Sequence, residues 1–129
     1  MVRGNDGSVR NNMMQPLEPT LSIFQNPFAR YFAATRPAFL TASLMASLIG
    51  LAIVWHDGLA FDVPLALVTL LFALLAHAGV NVLNDYYDAL NGTDAQNTGR
   101  IFPFTGGSRF IQNGVLTLSQ TRNFGFALL

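Results

Sequence analysis

Two amides and two carboxylates lie close together near the middle of the chain, at Asn81, Asn84, Asp85 and Asp88. Their spacing of i, i+3, i+4 and i+7 places all four on one face of a helix, within an arc of about 100° and a length of about 10 Å. Oxygen donors of this kind suit Mg²⁺, which usually binds through one or two carboxylates together with water and substrate phosphates. The pattern therefore predicts a magnesium site at this point of the chain.

The same residues also have structural interpretations. Asn81 and Asn84 could form hydrogen bonds between helices, and Asp85 and Asp88 could be solvated charges at a helix end. Adjacent carboxylates near a helix C-terminus, however, oppose the helix dipole and repel each other, and a bound cation relieves both effects. Together on one face, the four residues favour the metal site. His77, one turn earlier, is interpreted as a packing or hydrogen-bonding residue because Mg²⁺ prefers oxygen.

The composition indicates a membrane protein. Hydrophobic residues make up 51% of the 129 residues and charged residues only 11%, whereas about 25% of an average soluble domain is charged. The seven basic residues are balanced by seven acidic ones, which gives no support to a nucleic-acid-binding face. The absence of cysteine excludes disulfides, thiolate metal sites and cysteine nucleophiles.

Two segments without formal charge, residues 37–56 and 63–84, predict membrane-spanning helices over about residues 37–56 and 64–90, the second with a polar end that reaches beyond the hydrocarbon. Each has the roughly 20 apolar residues that a bilayer core requires. Four arginines precede the first span and three follow the second, whereas the connection between them carries Asp57 and Asp62 and no basic residue. By the positive-inside rule, the N-terminus and the carboxylate stripe face the cytoplasm of a multi-pass membrane protein.

The remaining segments complete a predicted all-α transmembrane helical bundle. We expect the chain to be an N-terminal fragment of such a bundle, with only the first two spanning helices and the start of a third. A short interfacial helix is the alternative for the last segment. The predicted parts are a mobile polar tail over 1–26 and a membrane domain over 27–129, in which a cytoplasmic loop over 91–116 precedes the start of the third span over 117–129.

The predicted loop adds groups that suit a phosphate. Arg100 and Arg109 lie on the same side as the carboxylates, and the arginine fork matches phosphate oxygens. The backbone of Gly106-Gly107-Ser108 could present N–H groups to an anion, and Asp94 is open between a loop cap and a further metal or diphosphate contact. Flexible glycines and positive-inside arginines are the alternative. Beside a carboxylate stripe, these residues suit a diphosphate on a lipid-soluble tail, with apolar helices sheltering an allylic cation from water.

The segment Asn84-Asp85-Tyr86-Tyr87-Asp88, one turn after Asn81, resembles the first Asp-rich motif, N-D-x-x-D, of the UbiA superfamily of membrane aromatic prenyltransferases. The surrounding sequence most resembles the 1,4-dihydroxy-2-naphthoate polyprenyltransferase branch. This likeness rests on Arg36-Pro37, Asn91-Gly92-Thr93-Asp94, Gly106-Gly107-Ser108-Arg109 and Gly114-Val115-Leu116.

The resemblance implies Mg²⁺-dependent transfer of a polyprenyl group from its diphosphate to an aromatic acceptor, as in menaquinone or ubiquinone biosynthesis, at a bacterial inner membrane. It implies Asp85 and Asp88 as catalytic carboxylates. Family members contain more spanning helices and a second Asp-rich motif, which is missing here. We therefore expect the chain to need those remaining helices as partners and to be inactive alone. The implied metal ligands are Asn81, Asn84, Asp85, Asp88 and Asp94, and the implied diphosphate contacts are Asn81, Asn84, Arg36, Arg100 and Arg109.

Two other functions compete with this one. A soluble trans-prenyl diphosphate synthase also uses paired Asp-rich helices, but two uninterrupted spans argue against it. The second is a non-catalytic membrane subunit that uses the polar stripe to pack against a partner helix.

Overall fold

A computed structural model describes residues 18–96, 99 and 106–129 of the protein, and the regular elements in this part of the chain are α-helices joined by turns and loops. These residues contain no strand, so the predicted all-α fold class is confirmed. The helices are α1 (Pro27–Ala34), α2 (Pro37–His56), α3 (Val63–Asn91), the short α4 (Thr93–Gln96) and α5 (Leu118–Leu128).

Helices α2 and α3 are long and apolar enough to cross a membrane. None of the most apolar 18-residue window of α2 is buried inside the protein, and only 11% of that of α3 is. A core helix of a soluble protein would bury most of such a window. The outward-facing apolar surface of both helices therefore supports the predicted transmembrane fold.

Helix α3 owes its length to well-formed ends. The Asp62 carboxylate accepts a hydrogen bond of 2.8 Å from the backbone N–H of Leu65, which satisfies one of the free donors of the first turn. At the other end Gly92 has a φ of 74°, a left-handed conformation that favours glycine and ends the helix. Because the helix runs without a break between these two ends, its polar end (residues 81–91) belongs to the same helix as the apolar span.

Helix α5 packs closely on α3. Gly125 lies against Leu83, and the later residue Leu129 lies against Gly79, so that α5 runs antiparallel to α3. On another side, α2 is joined to α3 by a hydrogen bond of 2.8 Å between Ser43 Oγ and His77 Nδ1. His77 thus has the hydrogen-bonding role expected of it.

A small core lies beside the polar end of α3. It joins Ala34 at the end of α1 to Phe110, Val115 and Leu116 of the segment after α4. The ring of Phe24 packs against that of Phe110 with centroids 5.0 Å apart. Part of the predicted polar loop is therefore buried.

The residues before α1 form a strap over this core. The side-chain amide of Asn113 donates hydrogen bonds to a carboxylate oxygen of Glu18 (3.2 Å) and to the carbonyl of Pro19 (2.9 Å). Residues 18–26 belong to the segment predicted as a mobile tail, and in the structure they contact the segment that follows α4. The strap therefore connects the start of the described chain to the small core beside α3.

Candidate functional site

The predicted polar stripe lies on α3, but its members differ in exposure. Asp85 is only 4% exposed, Asn84 is exposed, and Asn81 and Asp88 are half-buried. At about 100° per residue, Asn84 and Asp85 lie at opposite edges of the stripe. The edge with Asp85 turns towards the buried side of α3 that carries Val82. The stripe is therefore divided between the surface and the interior.

Asn84 and Asp88 form a pair at the surface of α3. The side-chain amide of Asn84 donates a hydrogen bond of 2.7 Å to Oδ2 of Asp88. Asp88 lies in the last turn of the helix, where a carboxylate opposes the helix dipole, and the amide dipole offsets part of that effect. An amide and a carboxylate are thus held together within reach of a ligand.

Asp85 points instead at the chain's own backbone. Both of its carboxylate oxygens accept hydrogen bonds of 3.2 Å from the backbone N–H of Ser108, which is itself buried. The preceding Gly106 and Gly107 have φ values of 82° and 71°, which glycine adopts without steric cost. The sequence predicted that this backbone could meet an anion; in the structure the N–H of Ser108 meets Asp85.

Asn81 connects α3 to the corner between α1 and α2. Its side-chain amide donates a hydrogen bond of 3.1 Å to the carbonyl of Thr35, the C-cap residue that follows α1. A helix-end carbonyl has no partner within its own helix, so this bond satisfies a group that would otherwise need water. The interhelical interpretation therefore applies to Asn81.

The structure brings two of the predicted phosphate-binding groups to one cavity. Arg36, whose φ of 58° is left-handed, places its guanidinium 4.4 Å from the ring centroid of Phe39. Arg36, Gly107 and Ser108 line a cavity of about 310 Å³. The half-buried Arg109 follows Ser108 with a φ of 64°.

Two predicted site residues are not placed. Arg100 lies outside the residues that the structure describes. Asp94 lies in α4, but its side chain is likewise outside the described part. Their predicted contacts with metal or diphosphate stay predictions.

A larger apolar cavity of about 670 Å³ opens beside the stripe, between α1, α2, α3 and α5. Thr35 and Ala78 bring it within one helical turn of Asn81. Its lining is mostly aromatic and aliphatic, and includes Phe28, Phe32, Leu74, Leu75, Phe124 and Leu128. The polar groups in the lining are few, among them Gln120 and Asn123, so the surface suits a hydrocarbon chain.

The described residues offer Mg²⁺ only part of a coordination shell, which water and phosphate oxygens would have to complete. Among these residues, no group of three or more acidic, histidine or cysteine side chains could hold a metal ion. Mg²⁺, however, commonly uses one or two carboxylates and completes its shell with water and phosphate oxygens. Asp88 with Asn84 fits that role. Asp85 fits less well, because it is buried and both its oxygens accept from Ser108.

Sequence analysis missed the strap and α1. Asn26 caps α1 by accepting a hydrogen bond of 2.9 Å from the N–H of Phe28, and Pro27 occupies the first turn. An Asn-Pro pair at this spacing is a helix-start signal that could have revealed α1. The bonds from Asn113 to Glu18 and Pro19 span more than 90 residues and leave no local signal.

Two curated proteins are similar to this chain. "UbiA prenyltransferase domain-containing protein 1" of Xenopus tropicalis is 35% identical over 97 residues, which cover 72% of this chain and 28% of that protein. "1,4-dihydroxy-2-naphthoate octaprenyltransferase" of Escherichia coli (strain K12) is 34% identical over 92 residues, which cover 71% of this chain and 28% of that protein. The chain thus spans little more than a quarter of the length of these relatives. Both similarities support a relationship to the UbiA superfamily.

No protein-family model matches the chain. No solved structure matches it either.

Proposed function

We propose that this chain belongs to the UbiA superfamily and contributes to the transfer of a polyprenyl group from its diphosphate to an aromatic acceptor. The observation that carries the proposal is the Asn84–Asp88 pair, held at 2.7 Å on the polar end of a helix that is apolar enough to span a membrane. A hydrocarbon-compatible cavity opens close to the same stripe. A substrate with a charged head and a long apolar tail needs both features side by side.

The chain's own residues divide the work of binding such a substrate. Asn84 and Asp88 would hold Mg²⁺, which, when bound, neutralises charge on the departing diphosphate. Arg36 lines the same cavity as Gly107 and Ser108, and Arg109 is the next residue of the chain. The guanidinium groups of these two arginines would bind phosphate oxygens. The prenyl chain would lie in the cavity lined by Phe28, Leu74 and Phe124, which keeps water from the reacting carbon.

We further propose the 1,4-dihydroxy-2-naphthoate branch, with menaquinone-type quinone biosynthesis as the pathway and the bacterial inner membrane as the location. The sequence resemblance and the name of the Escherichia coli relative support this choice. The polar end of α3 would face the cytoplasm, as the distribution of arginine predicts.

A helix-packing subunit is the alternative that one observation favours. Asn81 and Asp85, two of the four stripe residues, hydrogen-bond to the chain's own elements. A scaffold, however, gives no reason for a cavity that suits a hydrocarbon chain beside the stripe. Replacing Asp88 separates the two functions, because a scaffold would lose assembly and an enzyme would lose turnover.

The test is a chimera of the Escherichia coli relative in which its 92 aligned residues are replaced by those of this chain. With octaprenyl diphosphate, 1,4-dihydroxy-2-naphthoate and Mg²⁺, we expect prenylated product. Asp88→Asn should lower turnover by at least roughly 100-fold, the scale of losing one electrostatic group in an active site. Asp57→Asn is the matched control, because Asp57 follows the end of α2 that lies away from the candidate site, and it should leave turnover unchanged. A properly assembled chimera without activity, or full activity in Asp88→Asn, would contradict the proposal.

A further inference from the structure

The buried carboxylate of Asp85 needs a physical reason. Burying a charged group is unfavourable unless hydrogen bonds compensate for its lost hydration. The structure provides such a bond from the backbone N–H of Ser108, 23 residues later, to both carboxylate oxygens. A burial of 96% together with this long-range contact indicates that Asp85 acts on the segment that carries Ser108.

That segment has an unusual backbone that must be held in place. Gly106, Gly107 and Arg109 all have positive φ values, of 82°, 71° and 64°. Glycine adopts this region freely, but arginine does so at a steric cost. Ser108, between them, is 7% exposed. The hydrogen bond from Ser108 to Asp85 therefore fixes the residue that lies between these left-handed positions.

We propose that Asp85 is a positioning residue that fastens the Gly106–Arg109 loop to α3 through the N–H of Ser108. In this division of the motif, Asn84 and Asp88 face the ligand and Asp85 faces the loop. The loop's contribution to diphosphate binding rests on the proposed function. The hydrogen bond between Asp85 and Ser108 does not rest on that function, and its effect on the loop can be measured without any substrate.

The fastening can be measured by thiol labelling, because the chain has no cysteine of its own. A Ser108→Cys variant keeps the backbone N–H and places a buried thiol at the contact. In detergent-solubilised protein, this thiol should react slowly with N-ethylmaleimide. Adding Asp85→Ala should accelerate labelling by roughly 10- to 100-fold, the effect of removing a hydrogen bond to a charged group. Asp85→Asn, which keeps one acceptor oxygen, should lie between the two.

Two controls make the result specific. Asp88→Asn removes a neighbouring carboxylate on the same helix and should leave the labelling rate unchanged. Thr121→Cys, in a residue that is 2% exposed on α5, reports on opening of the whole helix packing. Acceleration at residue 108 alone supports the proposal. An unchanged labelling rate at residue 108 contradicts it. Asp85→Asn preserves the shape of the side chain, so equal acceleration at residues 108 and 121 in this variant also contradicts it.

A kinetic measurement in the chimera then connects the loop to the reaction. Asp85→Asn should raise KM for the prenyl diphosphate by more than it lowers kcat, because the loop binds the head group. Asp88→Asn should mainly lower kcat. If labelling shows the fastening but KM does not change, the loop is structural and its part in diphosphate binding is wrong, whereas the proposed prenyl transfer is unaffected.

Discussion

Gly125 of α5 lies so close to Leu83 of α3 that a Cβ atom at position 125 would come within 2.7 Å of two side-chain carbons of Leu83. It would also lie 3.3 Å from the Leu83 backbone nitrogen. Leu83 is buried, so its side chain has little room to withdraw. The close approach of the two helices therefore depends on glycine at this position.

Gly125→Ala should destabilise the packing of α5 on α3. Overpacking of this kind typically costs about 1–3 kcal/mol, so we expect a lower midpoint in thermal unfolding followed by circular dichroism in detergent. Gly50→Ala is the matched control, because a Cβ at Gly50 meets no atom within 4 Å. An equal loss of stability in both variants would show that the Gly125–Leu83 contact is unimportant.

Ser43 and His77 should contribute a measurable coupling between α2 and α3. Their hydrogen bond of 2.8 Å links the two helices, and such bonds in membrane proteins contribute about 0.6 kcal/mol on average and up to about 1.7 kcal/mol. A double-mutant cycle with Ser43→Ala and His77→Ala should give a coupling energy in that range. Thr41→Ala, whose hydroxyl bonds only within its own helix at Ala38, should show no coupling to His77.

Asn113→Ala should release the strap formed by residues 18–26. The N–H groups of Ile23 and Phe24 donate to the carbonyl of Thr20 in this segment, and hydrogen–deuterium exchange of these amides should become faster. Asn123→Ala makes the same chemical change at an exposed position on α5 and should have no effect. Unchanged exchange in Asn113→Ala would mean that Phe24 packing alone holds the strap.

The two ends of α3 should lie on opposite sides of the membrane. Leu59, 59% exposed before α3, and Leu90, 53% exposed at its polar end, are sites for single cysteines. In intact bacterial cells, an impermeant maleimide should label Leu59→Cys at once and Leu90→Cys only after permeabilisation. The reverse pattern would overturn the predicted orientation, and labelling of both in intact cells would overturn the span itself.

The spanning helices were predictable because their signals are local. Twenty consecutive residues without full charge define α2, and α3 starts at an Asp cap and ends at a glycine. The stripe on α3 was predictable for the same reason, since helical periodicity puts its members on one face. The different roles within it were not, because they depend on contacts distant in sequence. Asn81 meets Thr35, 46 residues earlier, and Asp85 meets Ser108, 23 residues later.

The binding of a divalent ion at Asn84 and Asp88 is most directly tested by electron paramagnetic resonance of Mn²⁺, a spectroscopic substitute for Mg²⁺, with the chain in nanodiscs and pyrophosphate present. We predict pyrophosphate-dependent Mn²⁺ binding that competes with Mg²⁺. Asp88→Asn should weaken it at least about tenfold, the scale of losing one charge-assisted contact, and Asp57→Asn should leave it unchanged. Identical Mn²⁺ binding in the native chain and in Asp88→Asn would contradict the account.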